Sequence, residues 1–273
     1  MRPAHSMMPE PKDALLNLAT AGDLHQMRTL LTASQESPSE EAVQKLLAAA
    51  VQSSHLEVVE FLLDQYLSVS MNEEIVRSAV NTGSIPVFKI LLARDPSIIN
   101  MPFEKRGSPL IVACMGRQTS EYLEYLLESG ADPNQDPDAA SYPLALVAAL
   151  YSDPDAIDLL LRYGARLEHS GPLAAAARLG NEPLMRRLFD SGARLEDDIY
   201  YVGAYTSLAT PLHIAVERGH LGVVKILLQH GADPTATDDR GATVFDVARQ
   251  MQNKGKDVSQ MLKILGEDED QTV

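Results

Sequence analysis

The chain has 273 residues, 45% of them hydrophobic, yet its aromatic share is 5% and it has no tryptophan, so its large core must be built from small aliphatic side chains. A formal net charge of -15 opposes contact with nucleic-acid phosphates or anionic lipid, and favours a protein partner with a basic or neutral surface. The single cysteine, Cys114, excludes an internal disulfide and suits a reducing compartment, so a cytoplasmic or nuclear location is expected.

Residues 1–12 carry three prolines and no apolar run, and read as a flexible lead-in. Beyond them, paired apolar sets at helical spacing recur down the chain, each pair divided by a corner. Leu15, Leu18 and Ala19 precede Gly22, with Leu24, Met27, Leu30 and Leu31 after it. Leu46, Leu47, Ala50 and Val51 precede Ser54-His55, with Val58, Val59, Leu62 and Leu63 after it. Ile75, Val76, Ala79 and Val80 precede Gly83, with Val87, Phe88, Leu91 and Leu92 after it. The fourth pair opens on Ser108-Pro109-Leu110, turns at Arg117 and closes on Gly130-Ala131-Asp132-Pro133. The fifth opens on Tyr142-Pro143-Leu144 and has Tyr151 at its corner, where an extra residue predicts an altered turn. Its run from Tyr142 to Tyr151 is the longest apolar stretch and is about half what a bilayer span needs, so a soluble chain with no membrane partner is expected. The sixth runs from Gly171-Pro172-Leu173 through Gly180 to Gly192-Ala193.

The seventh is the sharpest. Thr210-Pro211-Leu212-His213 supplies an N-cap and a proline for the first turn, Gly219-His220 a stop, Val223, Val224, Leu227 and Leu228 a second apolar face, and Gly231-Ala232-Asp233 a second stop. An eighth, from Thr243 to Leu265, has neither glycine, takes its corner at position 252 and precedes an acidic tail, residues 267–273. Corners at 22, 54, 83, 117, 151, 180, 219 and 252 are spaced by about thirty-three residues on average.

This pattern resembles the ankyrin repeat, in the Thr-Pro-Leu-His opening, the Gly-His corner, the Val-Val and Leu-Leu pairs and the Gly-Ala-Asp ending. The Arg-Leu-Glu endings at 166–168 and 194–196 further resemble ankyrin proteins of filamentous fungi. The resemblance implies an all-α solenoid of about seven to eight helix-turn-helix repeats with finger loops. Its expected span is 13–266, with diverged repeats over 13–107, clearer ones over 108–242 and a C-terminal capping repeat over 243–266. It also implies a non-enzymatic adaptor or scaffold that binds a protein on the concave face and finger loops.

One finger, over residues 193–209, holds a surplus of six residues over its counterpart between Gly231 and Thr243. It concentrates Tyr200, Tyr201 and Tyr205 beside Glu196, Asp197 and Asp198, which suits anchoring rings next to steering charge and makes these six the expected partner-binding residues. Packing of the rings over a neighbouring repeat is the bland alternative. A second function class, an atypical enzyme or small-molecule binder, would place a pocket under this finger, with one of the three carboxylates as acid or base.

Other candidates for chemistry have structural readings. His213, His220 and His55 sit at recurring positions suited to hydrogen bonds between repeats, and Cys114 lies on a packing helix without a paired histidine motif. The acidic groups at 132–138, 153–158 and 196–198 lack calcium-loop spacing, and no phosphate loop, nucleophile elbow or zinc motif occurs. No catalytic residue, metal or cofactor is expected.

Overall fold

The computed structural model describes residues 11–34, 37–104, 107–135, 142–151, 155–195 and 209–266. Regular structure among them is helical, and it falls into two compact units: Glu104, Gly107 and the described residues from Asp132 onward form one, and the remaining described residues form the other.

In the first unit, α1 (Pro11–Ala21) and α2 (Leu24–Ala33), α3 (Glu40–Gln52) and α4 (Leu56–Gln65), α5 (Glu73–Thr82) and α6 (Ile85–Arg94), and α7 (Pro109–Met115) and α8 (Ser120–Glu128) make four helix pairs. A 3-10 turn, Pro96–Asn100, follows α6. First helices stack on first helices, α1 on α3, α3 on α5 and α5 on α7. In the second unit, α9 (Pro143–Leu150) and α10 (Asp155–Arg162), α11 (Pro172–Leu179) and α12 (Glu182–Asp190), α13 (Pro211–Arg218) and α14 (Leu221–Gln229), and α15 (Val244–Asn253) and α16 (Ser259–Leu265) repeat the scheme. There α11 lies between α9 and α13, while α12, α14 and α16 form the outer row. This is the all-α ankyrin-repeat fold, in which, within each unit, a pair buries its apolar faces against its neighbours.

Local chemistry sets the helix ends. The Thr210 hydroxyl accepts from the His213 backbone N–H, and Pro211 fills the first turn, where its missing N–H costs nothing. At the far end Gly219 turns left-handed at φ 78°, donating to Val216, while His220 donates back to Ala215, so two carbonyls that would otherwise be orphaned are satisfied. The Gly-Ala pairs at 130–131, 164–165, 192–193 and 231–232 close the second helices in the same way, each alanine N–H reaching back to a leucine carbonyl. Small residues let the inner row pack closely: Pro172 to Ala177 are all buried in α11. Each larger side chain sealed in this way, such as Leu212 or Leu227, contributes about 1.5–3 kcal/mol.

Several corners depart from glycine. Ser54 and Arg117 adopt the left-handed turn at φ 58° and 54°, as their repeat positions require. Tyr151 does not, lying extended at φ -97°, which matches the altered turn that its extra residue predicts. The corner expected at Gln252 is corrected: α15 continues to Asn253, and the left-handed residue is Gly255, at φ 83°. The apolar period of α15, with Val244, Ala248 and Met251 buried, carries the helix past 252 before glycine can stop it.

Candidate functional site

The six residues expected to bind a partner, Glu196, Asp197, Asp198, Tyr200, Tyr201 and Tyr205, lie outside the described residues, as does most of the finger under which a pocket would sit. Its two footings are described. On one side, α12 ends with Ser191 Oγ donating to the Arg187 carbonyl, Ala193 is buried and Arg194 approaches Glu168 at 3.7 Å. On the other, Ala209 and Thr210 lead directly into α13.

The neighbouring loops are tied by short polar side chains. Asp238 accepts from the backbone N–H groups of Arg240 and Ala242 and itself donates to the Ala242 carbonyl, closing a compact turn before α15. Asn134 bridges two repeats, donating to the Gly164 carbonyl at 2.8 Å and accepting from the Arg166 N–H at 2.8 Å. Asn100 does half of this, donating to Gly130 at 2.9 Å. These two asparagines were not singled out from the sequence. The recurring signal was an Asn placed about thirty residues before the glycine-ended turn it ties.

Three histidines, His213, His220 and His55, are spent on structure. His213 is buried, its Nε2 donates to the Ala242 carbonyl at 3.0 Å, and its Nδ1 meets the Thr210 hydroxyl at 2.8 Å. With Nε2–H committed to a carbonyl, Nδ1 accepts from the hydroxyl, so neither ring nitrogen is open to a metal or a substrate proton. His220 Nε2 donates to the Arg178 carbonyl at 3.1 Å, and His55 Nε2 to the Thr20 carbonyl at 2.9 Å. Gln118 stands in the same repeat position and donates to Val80 and Asn81, both at 3.0 Å. These side chains fill the corner of the preceding repeat: a Cβ on Gly22 would come within 2.6 Å of the His55 ring, and one on Gly180 within 2.5 Å of His220.

Cys114 is fully buried, and burial pushes its thiol up to about 12, so at neutral pH it is protonated and shielded from attack. The Tyr122 hydroxyl is pushed up as well, by burial first and then by Tyr125. Its ring stands edge-on to Phe88 at 6.2 Å. Asp233 and Asp246 are held below the usual carboxylate range, chiefly by the hydroxyls of Thr235 and Thr243. Both serve turns and caps. Among the described residues no group of three His, Cys, Asp or Glu converges as metal ligands would, and no helix is long and apolar enough to cross a membrane.

Two family models of ankyrin repeats match the chain, one for three copies over residues 144–238 and one for many copies over 212–265. Among curated proteins, "Zygote-specific protein 3" of Chlamydomonas reinhardtii is 37% identical over 94 residues, which is 34% of this chain and 22% of that protein. "Transient receptor potential cation channel subfamily A member 1" of Homo sapiens is 26% identical over 190 residues, 68% of this chain and 14% of the channel. "Ankyrin repeat and SOCS box protein 6" of Pongo abelii is 30% identical over 129 residues, 45% of this chain and 31% of that protein. The matched stretch therefore covers less than a third of each of these relatives.

Proposed function

Since the chain is an ankyrin-repeat protein, we propose that it works as a non-enzymatic interaction module, an adaptor or scaffold, binding its protein partner on the concave face and finger loops. Ankyrin repeats are generally protein–protein interaction modules. The observation that best supports this reading is the commitment of four side chains that could otherwise carry chemistry: the rings of His55, His213 and His220 tie one repeat to the next, and the Cys114 thiol is sealed and protonated. What these repeats offer a ligand is surface rather than chemistry.

In this proposal the array runs over residues 13–266, with 243–266 as its C-terminal cap, 1–12 as a lead-in and 267–273 as an acidic tail. Tyr200, Tyr201 and Tyr205 anchor the partner by burying ring area at small entropic cost. Glu196, Asp197 and Asp198, within a chain of net charge -15, draw a basic or neutral partner surface towards them. The lone cysteine fits action in the cytoplasm or nucleus.

The test is a pull-down from extract, followed by kinetics with the recovered partner. Replacing the three tyrosines by alanine should raise the off-rate and weaken binding by about 2 kcal/mol or more, with little change in melting temperature. Neutralising the three carboxylates should slow association and flatten its salt dependence. Binding untouched by the tyrosine changes would refute the finger as the anchor. A metabolite that stabilises the chain when no partner is recovered would point instead to the small-molecule reading.

A further inference from the structure

The first unit carries a groove of a different kind, between the outer helices α2 and α4, with a volume of about 600 Å³. Leu24 and Arg28, one turn apart on α2, form one wall; Glu57, Glu60, Phe61 and Asp64 recur at helical spacing along one side of α4 and form the other. The Phe61 ring is half-buried between charged neighbours, and the guanidinium of Arg28 lies over its face, 4.9 Å from the centroid.

Two features separate this groove from an ordinary wetted helix face. A solvated face on α4 would carry a polar residue where Phe61 stands, whereas an aromatic floor beneath a guanidinium is the geometry by which proteins hold cations. The charge is also unbalanced. Glu57, Glu60 and Asp64 are exposed, they repel one another along the helix, and no ion pair joins any of them to Arg28 among the described residues. Three carboxylates thus surround one internal cation that sits on the ring rather than on them.

We propose that this groove receives an arginine-bearing segment of a protein partner, whose guanidinium takes the place of Arg28 on Phe61 while its charge is met by Glu57, Glu60 and Asp64. The proposal rests on the interaction-module reading only for the class of ligand, a protein segment. Arg28 acts as a resident stand-in: it keeps the ring covered in the free protein and must swing away for the segment to dock.

That stand-in role gives the experiment its sign. Fluorescence anisotropy would follow the full chain binding a labelled Gly/Ser peptide with two arginines, beside otherwise identical lysine and glutamate peptides. The arginine peptide should bind, the lysine peptide more weakly, and the glutamate peptide not at all. Phe61→Leu, which keeps the apolar packing, should weaken arginine-peptide binding about two- to five-fold, the scale of a partly exposed cation–π contact. Glu57→Gln with Glu60→Gln and Asp64→Asn should weaken it further and flatten its salt dependence. Arg28→Ala should strengthen binding, because it uncovers the ring and removes a like charge. The proposal is overturned if Arg28→Ala weakens binding or leaves it unchanged. It is equally overturned if arginine and lysine peptides bind alike whether or not Phe61 is present, or if spermine occupies the groove as readily as the peptide. These outcomes leave the finger reading intact, since that stands or falls on the tyrosine variants with the recovered partner.

Discussion

The corners at Gly180 and Gly219 close their helices with the same left-handed turn, at φ 70° and 78°, yet they stand in opposite surroundings. A Cβ on Gly180 would meet the His220 ring at 2.5 Å, whereas one on Gly219 would meet nothing within 4 Å. Two demands that a sequence writes with one letter are thereby separated. At Gly219 glycine answers only to the backbone conformation, a demand that Ser54 and Arg117 show an ordinary residue can bear. At Gly180, as at Gly22, it must also leave room for a ring from the next repeat.

The comparison breaks or sharpens in order of effect. Gly180→Ala should cost the most, about 2–3 kcal/mol, combining a left-handed alanine with loss of the displaced His220 bond. Gly219→Ala should cost about 1–2 kcal/mol, the conformational part alone. Equal urea midpoints for the two variants would remove the distinction. Next, His220→Ala should cost about 1–2 kcal/mol by leaving the Arg178 carbonyl without its partner, and in that background Gly180→Ala should fall to the cost of Gly219→Ala. A double-mutant cycle should therefore show about 1 kcal/mol of coupling, and strict additivity would mean that the ring does not fill the corner. Asn134→Ala, which removes two bonds between repeats on a partly exposed turn, should cost about 1 kcal/mol by chemical denaturation, well below Gly180→Ala.

The smallest effect concerns acid. The Thr243 hydroxyl and N–H hold the Asp246 carboxyl below its ordinary range, so its folded-state value is depressed relative to the unfolded chain. Its contribution is present above the unfolded aspartate range and is lost as pH falls through the folded value. The melting temperature of Asp246→Asn should accordingly lie slightly below that of the native chain at neutral pH and converge with it in acid. A gap that persists in acid would assign the cap to shape rather than charge.

How far the sequence could be read follows from the same distinction between local and neighbouring demands. Helix starts such as Thr210-Pro211 and stops such as Gly231-Ala232 are legible because the signal and its effect lie within one turn of each other. Gly255 was not found as a corner because a thirty-three-residue step points to 252, while the buried period of α15 decides where that helix stops. Asn134 and the pairing of Arg28 with Phe61 were equally hidden, since each joins residues of different repeats and no spacing rule within a repeat announces it. For the candidate site, the surplus in the finger is readable as composition and length, and composition alone does not say what its tyrosines touch.

The histidine in the corner has a consequence for how such a chain can change. Because His220 needs a glycine in the repeat before it, and His55 needs Gly22, each of these repeats carries a condition on its predecessor. A deletion or duplication that set a histidine-bearing unit behind Ser54 or Arg117 would drive an imidazole into a side chain, however well both units suited the fold. Such a repeat fits only behind a neighbour whose corner leaves the ring its space, so the order of these units along the chain is constrained in pairs.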